Sequence, residues 1–100
     1  FTTIFPGWYT GRATHIHVHI YNTNGNSVKV TQISFPEGTN SAVVTVNAAT
    51  SSGYTKGMSG YTYNASDNVF SDDKSNLQVA TVSGSVSGGY TISSNIKVSI

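Results

Sequence analysis

Hydrophobic and polar residues alternate along much of this chain, most clearly from Ala13 to Tyr21. There His15, His17 and His19 fall on one face and Ile16, Val18 and Ile20 on the other. A period of two is the pattern of a half-buried strand. Ser27 to Phe35 repeats it, with Val28, Val30, Gln32 and Ser34 on one side and Lys29, Thr31, Ile33 and Phe35 opposite. The intervening Asn22-Thr23-Asn24-Gly25-Asn26 contains Asn-Gly, a strong short-range turn signal, so the two strands are predicted to pair as a hairpin. Thr2 to Phe5, Leu77 to Ser83 and Tyr90 to Ile100 read as further strands, with Gly84 to Gly89 connecting the last two.

Two segments break the alternation. Ala42 to Val46 suits a strand by its β-branched residues, or a short helix starting at Ser41 with Thr39 or Asn40 as cap. Ser51 to Ser75 is rich in Gly, Ser and Asn and predicts a long loop, anchored by Tyr54, Tyr61, Tyr63 and Phe70. No helix of ordinary length and no internal repeat is visible. The expected class is all-β, a β-sandwich or open barrel, in a single domain over residues 1–100.

Composition narrows the function classes. Ser, Thr, Asn and Gly make up 47 of the 100 residues, only 9 are charged and 11 are aromatic. A disordered chain is charge-rich and aromatic-poor, so this one is expected to fold. The net charge is +1, and the basic residues Arg12, Lys29, Lys56, Lys74 and Lys97 stand singly, which excludes an ordinary electrostatic nucleic-acid binder. No apolar run approaches the roughly 18 residues of a membrane span. The absence of cysteine excludes disulfides, zinc-thiolate sites and thiol catalysis. Low charge with abundant Ser, Thr and Asn points to a secreted or cell-surface protein, and Asn64-Ala65-Ser66 is a glycosylation sequon. The chain opens at Phe1 inside an apolar, β-prone run without Met, as a processed product or a fragment would.

One segment concentrates chemistry. His15 and His17, two apart on a strand, share a face and can reach one metal ion. His19 lies a further ~6.6 Å along that face, too far to join them unless the strand bends. Tyr9 stands just ahead, after a Pro-Gly turn, and a trivalent cation can hold a phenol as phenolate. Phenolate and imidazole together suit iron rather than magnesium or calcium. Arg12, the only arginine, reads either as a strand-end ion pair or as a fixed charge offsetting an anionic substrate. The pair Asp72-Asp73 and the stretch Gly84 to Gly89 read as solvated loop and connection, not as calcium or phosphate sites. Trp8 is expected to pack against the sheets or line the mouth of a site.

The stretch Thr3-Ile4-Phe5-Pro6-Gly7-Trp8-Tyr9-Thr10-Gly11-Arg12-Ala13-Thr14-His15-Ile16-His17 resembles the signature of the intradiol ring-cleavage dioxygenases, chiefly their secreted-type relatives. Val30 to Glu37 and Asn68-Val69-Phe70 are also similar to that family. The resemblance implies a β-sandwich and a non-haem Fe(III) that inserts both atoms of O₂ between the hydroxyl carbons of a catechol-type ring. It implies that Tyr9, His15 and His17 are iron ligands, Tyr9 being the one displaced by substrate. By the same resemblance Arg12 stabilises the anionic ring, and Gln32 lies beside the iron. His19 falls outside the family's ligand set and is expected at the surface.

The family's first tyrosine ligand comes from a segment preceding this motif, as do strands that complete its sandwich. The sandwich is thus expected to be incomplete on its N-terminal side, completed by an N-terminal segment or by association into an oligomer or filament. Two further readings stand beside the dioxygenase. One is a non-catalytic structural or adhesive β-domain pairing through open strand edges. The other is a carbohydrate-binding module using Trp8 and the tyrosines from Tyr54 to Tyr63.

Overall fold

The Asn-Gly segment reverses the chain through its own hydrogen bonds. The Asn22 carbonyl accepts from Gly25 N–H at 3.0 Å, and Asn22 Oδ1 accepts from Asn24 and Asn26 N–H at 2.9 and 3.0 Å. Gly25 adopts φ 81°, a left-handed conformation costing a residue with a Cβ roughly 1–2 kcal/mol. The flanking strands, β1 (His15–Tyr21) and β2 (Ser27–Ser34), pair antiparallel as expected, though Ala13, Thr14 and Phe35 lie outside the ladder. His15 stands opposite Ser34, His17 opposite Gln32 and His19 opposite Val30. Between Ile20 and Tyr21 the register shifts, so Tyr21 faces Ser27 and Val28 is left over as a bulge. The computed structural model describes residues 1–49 and 52–99.

The ambiguous segment is a helix, α1 (Ala42–Ala48), and not a strand. Its cap is Ser41, one residue after Asn40 and two after Thr39: the Ser41 hydroxyl accepts from Val44 N–H at 3.4 Å. Val43, Val46 and Asn47 recur at helical spacing and are buried, and Asn47 Nδ2 donates to the Val43 carbonyl at 2.8 Å. One apolar face against the core outweighs the mild reluctance of Val and Thr to enter helices.

The second sheet is a hairpin of β3 (Thr81–Ser85) and β4 (Gly89–Ser93). Gly84, Ser85 and Gly89, expected in the connection, belong to the ladder, and the turn itself is Val86 to Gly88. Gly84 pairs with Tyr90 at φ 123°, and a Cβ there would sit 2.1 Å from the Gly89 carbonyl oxygen, so only glycine fits. Val79 bridges to Ser34, where Ser34 N–H donates to Gln78 O at 2.7 Å and Ala80 N–H donates to Ser34 O at 2.9 Å. Those bonds link the end of β2 to the approach of β3. After Ser93 residues 94–99 leave the ladder, and Ile100 lies outside the described residues.

The strand expected at Thr2 to Phe5 is not formed; these residues are irregular. Strand propensity needs a partner to become a ladder, and this segment is held by its aromatic ring instead. Phe5 packs on Phe35 and Tyr90, centroids 5.2 and 5.7 Å apart, while the Tyr54 hydroxyl donates to the Phe5 carbonyl. The expected loop is present over its described part (Ser51 lies outside it), broken by a single 3₁₀ turn, Asn64–Ser66. Phe70 is buried and Tyr54 and Tyr61 half-buried as anchors, whereas Tyr63 is 48% exposed. Trp8, Ala13, Phe35, Val43, Val46, Phe70 and Ala80 form the core. Regular structure among the described residues is thus mostly strand: a small all-β fold of two antiparallel pairs with one short helix.

Candidate metal centre

Tyr9 to Arg12 is a turn, closed by Arg12 N–H donating to the Tyr9 carbonyl at 3.2 Å, with Gly11 at φ 92°. A positive φ at the third position is what this turn type needs, and glycine supplies it without strain. The turn folds Tyr9 back over the start of β1. Its Oη comes within 3.4 Å of His15 Nε2, and the two rings meet edge to face with centroids 5.6 Å apart. The His15 and His17 rings lie 5.0 Å apart on the same face of the strand.

His15 Nδ1 lies 2.6 Å from the Ala13 carbonyl. A carbonyl only accepts, so Nδ1 carries the proton and the lone pair is on Nε2, facing Tyr9. A backbone carbonyl holding the remote ring nitrogen is the usual support of a metal-binding histidine. Two atoms bound to one ion at about 2.0–2.1 Å can be no more than about 4.1 Å apart, so the 3.4 Å between Oη and Nε2 fits a shared ion. Among the described residues no three His, Cys, Asp or Glu side chains cluster for a metal. Tyr9 is 52% exposed and His17 exposed, leaving the face open to incoming ligand.

Arg12 makes the strand-end ion pair. Its Nε donates to Asp67 Oδ2 at 2.8 Å and its Nη2 to Gln32 Oε1 at 2.6 Å, while its guanidinium lies 5.9 Å from the centre of the Phe70 ring. Gln32, opposite His17, thereby ties β2 to the turn that carries Tyr9. Asp67 is fully buried and accepts four hydrogen bonds: Arg12 Nε and Ala13 N–H on Oδ2, Val69 and Phe70 N–H on Oδ1. Burial pushes its carboxyl up, but the bonds from Arg12, Ala13, Val69 and Phe70 prevail and hold it below the usual carboxylate range. The bond to Asp67 likewise raises the guanidinium above its ordinary value, against burial, with smaller help from the charge of Asp67 and from Tyr9.

Tyr61 braces the next residue. Its Oη accepts from Thr14 N–H at 2.8 Å and donates to Thr14 Oγ1 at 2.9 Å, and burial pushes the phenol up despite both bonds. The Tyr61 ring meets that of Trp8, which is only 6% exposed and donates Nε1–H to Gly57 O at 2.9 Å. Trp8 is a packing residue, and its buried face withdraws it from sugar stacking. Asp67 was not expected at the site, and Tyr61 was expected only as a loop anchor or, with Trp8, in a sugar-binding surface. The sole arginine left an ion-pair role open, but nothing in the sequence named its carboxylate.

The remaining candidates sit elsewhere. His19 is exposed and turned to Ser27 and Tyr21. Asn64 Nδ2, the atom a glycan would take, donates to the Phe35 carbonyl at 3.0 Å. Asp73 caps Leu77 and Gln78 N–H at 2.9 and 2.8 Å. A cleft of about 600 Å³ between α1 and the β3–β4 hairpin, lined by Ser41, Thr45, Val82, Ser85 and Tyr90, does not include the Tyr9–His15–His17 face. No family model, curated protein or solved structure matches this chain.

Proposed function

We propose that this chain carries the Fe(III)-binding face of an intradiol-type dioxygenase, with Tyr9, His15 and His17 as ligands and a catechol-type diol and O₂ as substrates. The observation that carries the reading is Tyr9 Oη facing the free lone pair of His15 Nε2 at 3.4 Å, with Nδ1 already held by Ala13. Bound Fe(III) would make the chelated diol reactive toward O₂, which inserts between the hydroxyl carbons to yield a muconate-type diacid. The residues do the rest. Tyr9, half exposed on a turn and joined to His15 by a long contact, swings aside for the diol and takes up a proton at Oη. His15 and His17 stay fixed on the rigid ladder. Arg12 holds permanent positive charge beside the anionic ring, its planar fork oriented by Asp67 and Gln32.

In this reading the all-β fold is part of an intradiol-type sandwich in a secreted or cell-surface protein. A structural or adhesive domain is the second reading. It is favoured by large exposed side chains, Leu77 at 77%, Val30 at 66% and Tyr21 at 57%, beside two-stranded sheets with open edges.

The test is iron loading of the natural full-length protein followed by visible spectroscopy and turnover of catechol. The dioxygenase reading expects a phenolate-to-iron band and ring-opened diacid. His15→Ala or His17→Ala should abolish the band, and Tyr9→Phe should weaken or shift it with the fold intact. A colourless iron-loaded protein, or three variants with the wild-type spectrum, overturns the assignment and leaves the structural domain.

A further inference from the structure

The bulge at the end of the β1–β2 hairpin has an effect outside the candidate metal centre. In a regular register Val28 would stand opposite Tyr21, and Ser27 would fall on the other face. The extra residue brings Ser27 onto the face of His19 and Tyr21, as bulges re-aim side chains elsewhere. There Ser27 Oγ lies 2.9 Å from His19 Nε2, and His19 Nδ1 lies 3.0 Å from Tyr21 Oη. The Tyr21 ring stacks on the imidazole with centroids 4.1 Å apart and planes 23° from parallel. A hydroxyl within hydrogen-bond reach of an imidazole whose other nitrogen meets a further oxygen is the set of contacts that activates a serine.

We propose that Ser27 is a nucleophile activated by His19, with Tyr21 as the positioning residue, and that it accepts the acyl group of small activated esters. In the working tautomer His19 Nδ1–H donates to Tyr21 Oη, and Nε2 accepts the Ser27 hydroxyl proton. Ser27 Oγ bonds to the acyl carbon and the ester C–O bond breaks. The proton passes from Oγ to Nε2 and then to the departing aryloxide, giving acyl-Ser27 and a phenol. Water, with His19 as base, then releases the carboxylic acid and restores the serine. All three residues are exposed, so the site selects donors by their leaving group rather than their shape. None of the three belongs to the ligand set proposed above, so the two readings fail independently.

The experiment treats the full chain with p-nitrophenyl acetate, following phenol release and locating acetyl groups by peptide mapping. Acetylation should fall on Ser27, and Ser27→Ala should remove the rapid phenol release. His19→Gln keeps a side chain of similar reach without the base and should slow Ser27 acetylation by about 10²-fold. Tyr21→Phe keeps the stacked ring but loses Oη. Nitrogen NMR of the imidazole should show the Nδ1–H form of His19 in the wild type and its loss in this variant, with slower acetylation. A metal chelator should change none of these results. Equal labelling of Ser27 in wild type and His19→Gln overturns the proposal. So does phenol release that survives Ser27→Ala, a wild-type Nε2–H tautomer, or labelling that disappears on chelation.

Discussion

Replacing Asp67 by Ala removes the acceptor of four hydrogen bonds at a fully buried position. The Arg12 side chain, itself only 15% exposed, is left without its counter-charge, and the N–H groups of Ala13, Val69 and Phe70 lose their partner. Breaking a buried ion pair from one side costs about 3–5 kcal/mol, a large share of the 5–15 kcal/mol that typically holds a domain together. In a chain of this length that corresponds to a melting temperature lower by roughly 15–30 °C. Urea and thermal unfolding of the wild type, Asp67→Ala, Arg12→Met and the double variant measure it. The double variant should lose less than the sum of the single changes, because it strands no charge. The pH dependence has a definite sign. The folded carboxyl titrates below its unfolded value, so its contribution is complete above about pH 4 and disappears as pH falls through the folded value. Wild-type stability should therefore fall on acidification, and Asp67→Asn should flatten that slope. An Asp67→Ala protein within about 0.5 kcal/mol of wild type would refute the clamp.

Two further outcomes follow from local geometry. Gly84→Val places a side chain where a Cβ would meet the Gly89 carbonyl oxygen at 2.1 Å, so the β3–β4 hairpin should open, seen as lost amide protection of β3 and β4 while β1–β2 is retained. Arg12→Lys cannot reach both Asp67 and Gln32 with a planar fork, and in the dioxygenase reading it should lower turnover more than iron content, checked by metal analysis beside product yield.

What could be read from the sequence was what short-range chemistry decides. The β1–β2 hairpin follows from period-two alternation and an Asn-Gly turn whose hydrogen bonds all lie within five residues. Tyr9, His15 and His17 were legible because a turn and a strand of adjacent residues bring them together. The bulge at Val28 was not, since nothing in Ser27-Val28-Lys29 announces an extra residue. Thr2 to Phe5 has strand-like residues, yet a ladder needs a partner that local sequence does not name. Ala42 to Val46 was decided by burial of Val43 and Val46, a tertiary effect that overrides β-branching. Asp67 binds the N–H groups two and three residues ahead, a local pattern recognisable as a cap. Its grip on Arg12 and Ala13 is long-range and was invisible.

That grip spans 55 positions, and the companion bonds from Tyr61 to Thr14 and from Trp8 to Gly57 span 47 and 49. Contacts so distant along the chain form only after an expensive loop closure, whereas the Asn-Gly hairpin can close early. The two halves of the candidate centre thus have separate histories. On contact order the histidine hairpin is expected to form before the 57–70 segment docks on Arg12, Ala13 and Thr14. Undocking that segment would take Asp67 from the guanidinium and leave it its bond to Gln32, with the imidazoles still in register. The orientation of the guanidinium is then expected to last as long as a loop stays in place, not as long as the sheet on which the histidines stand.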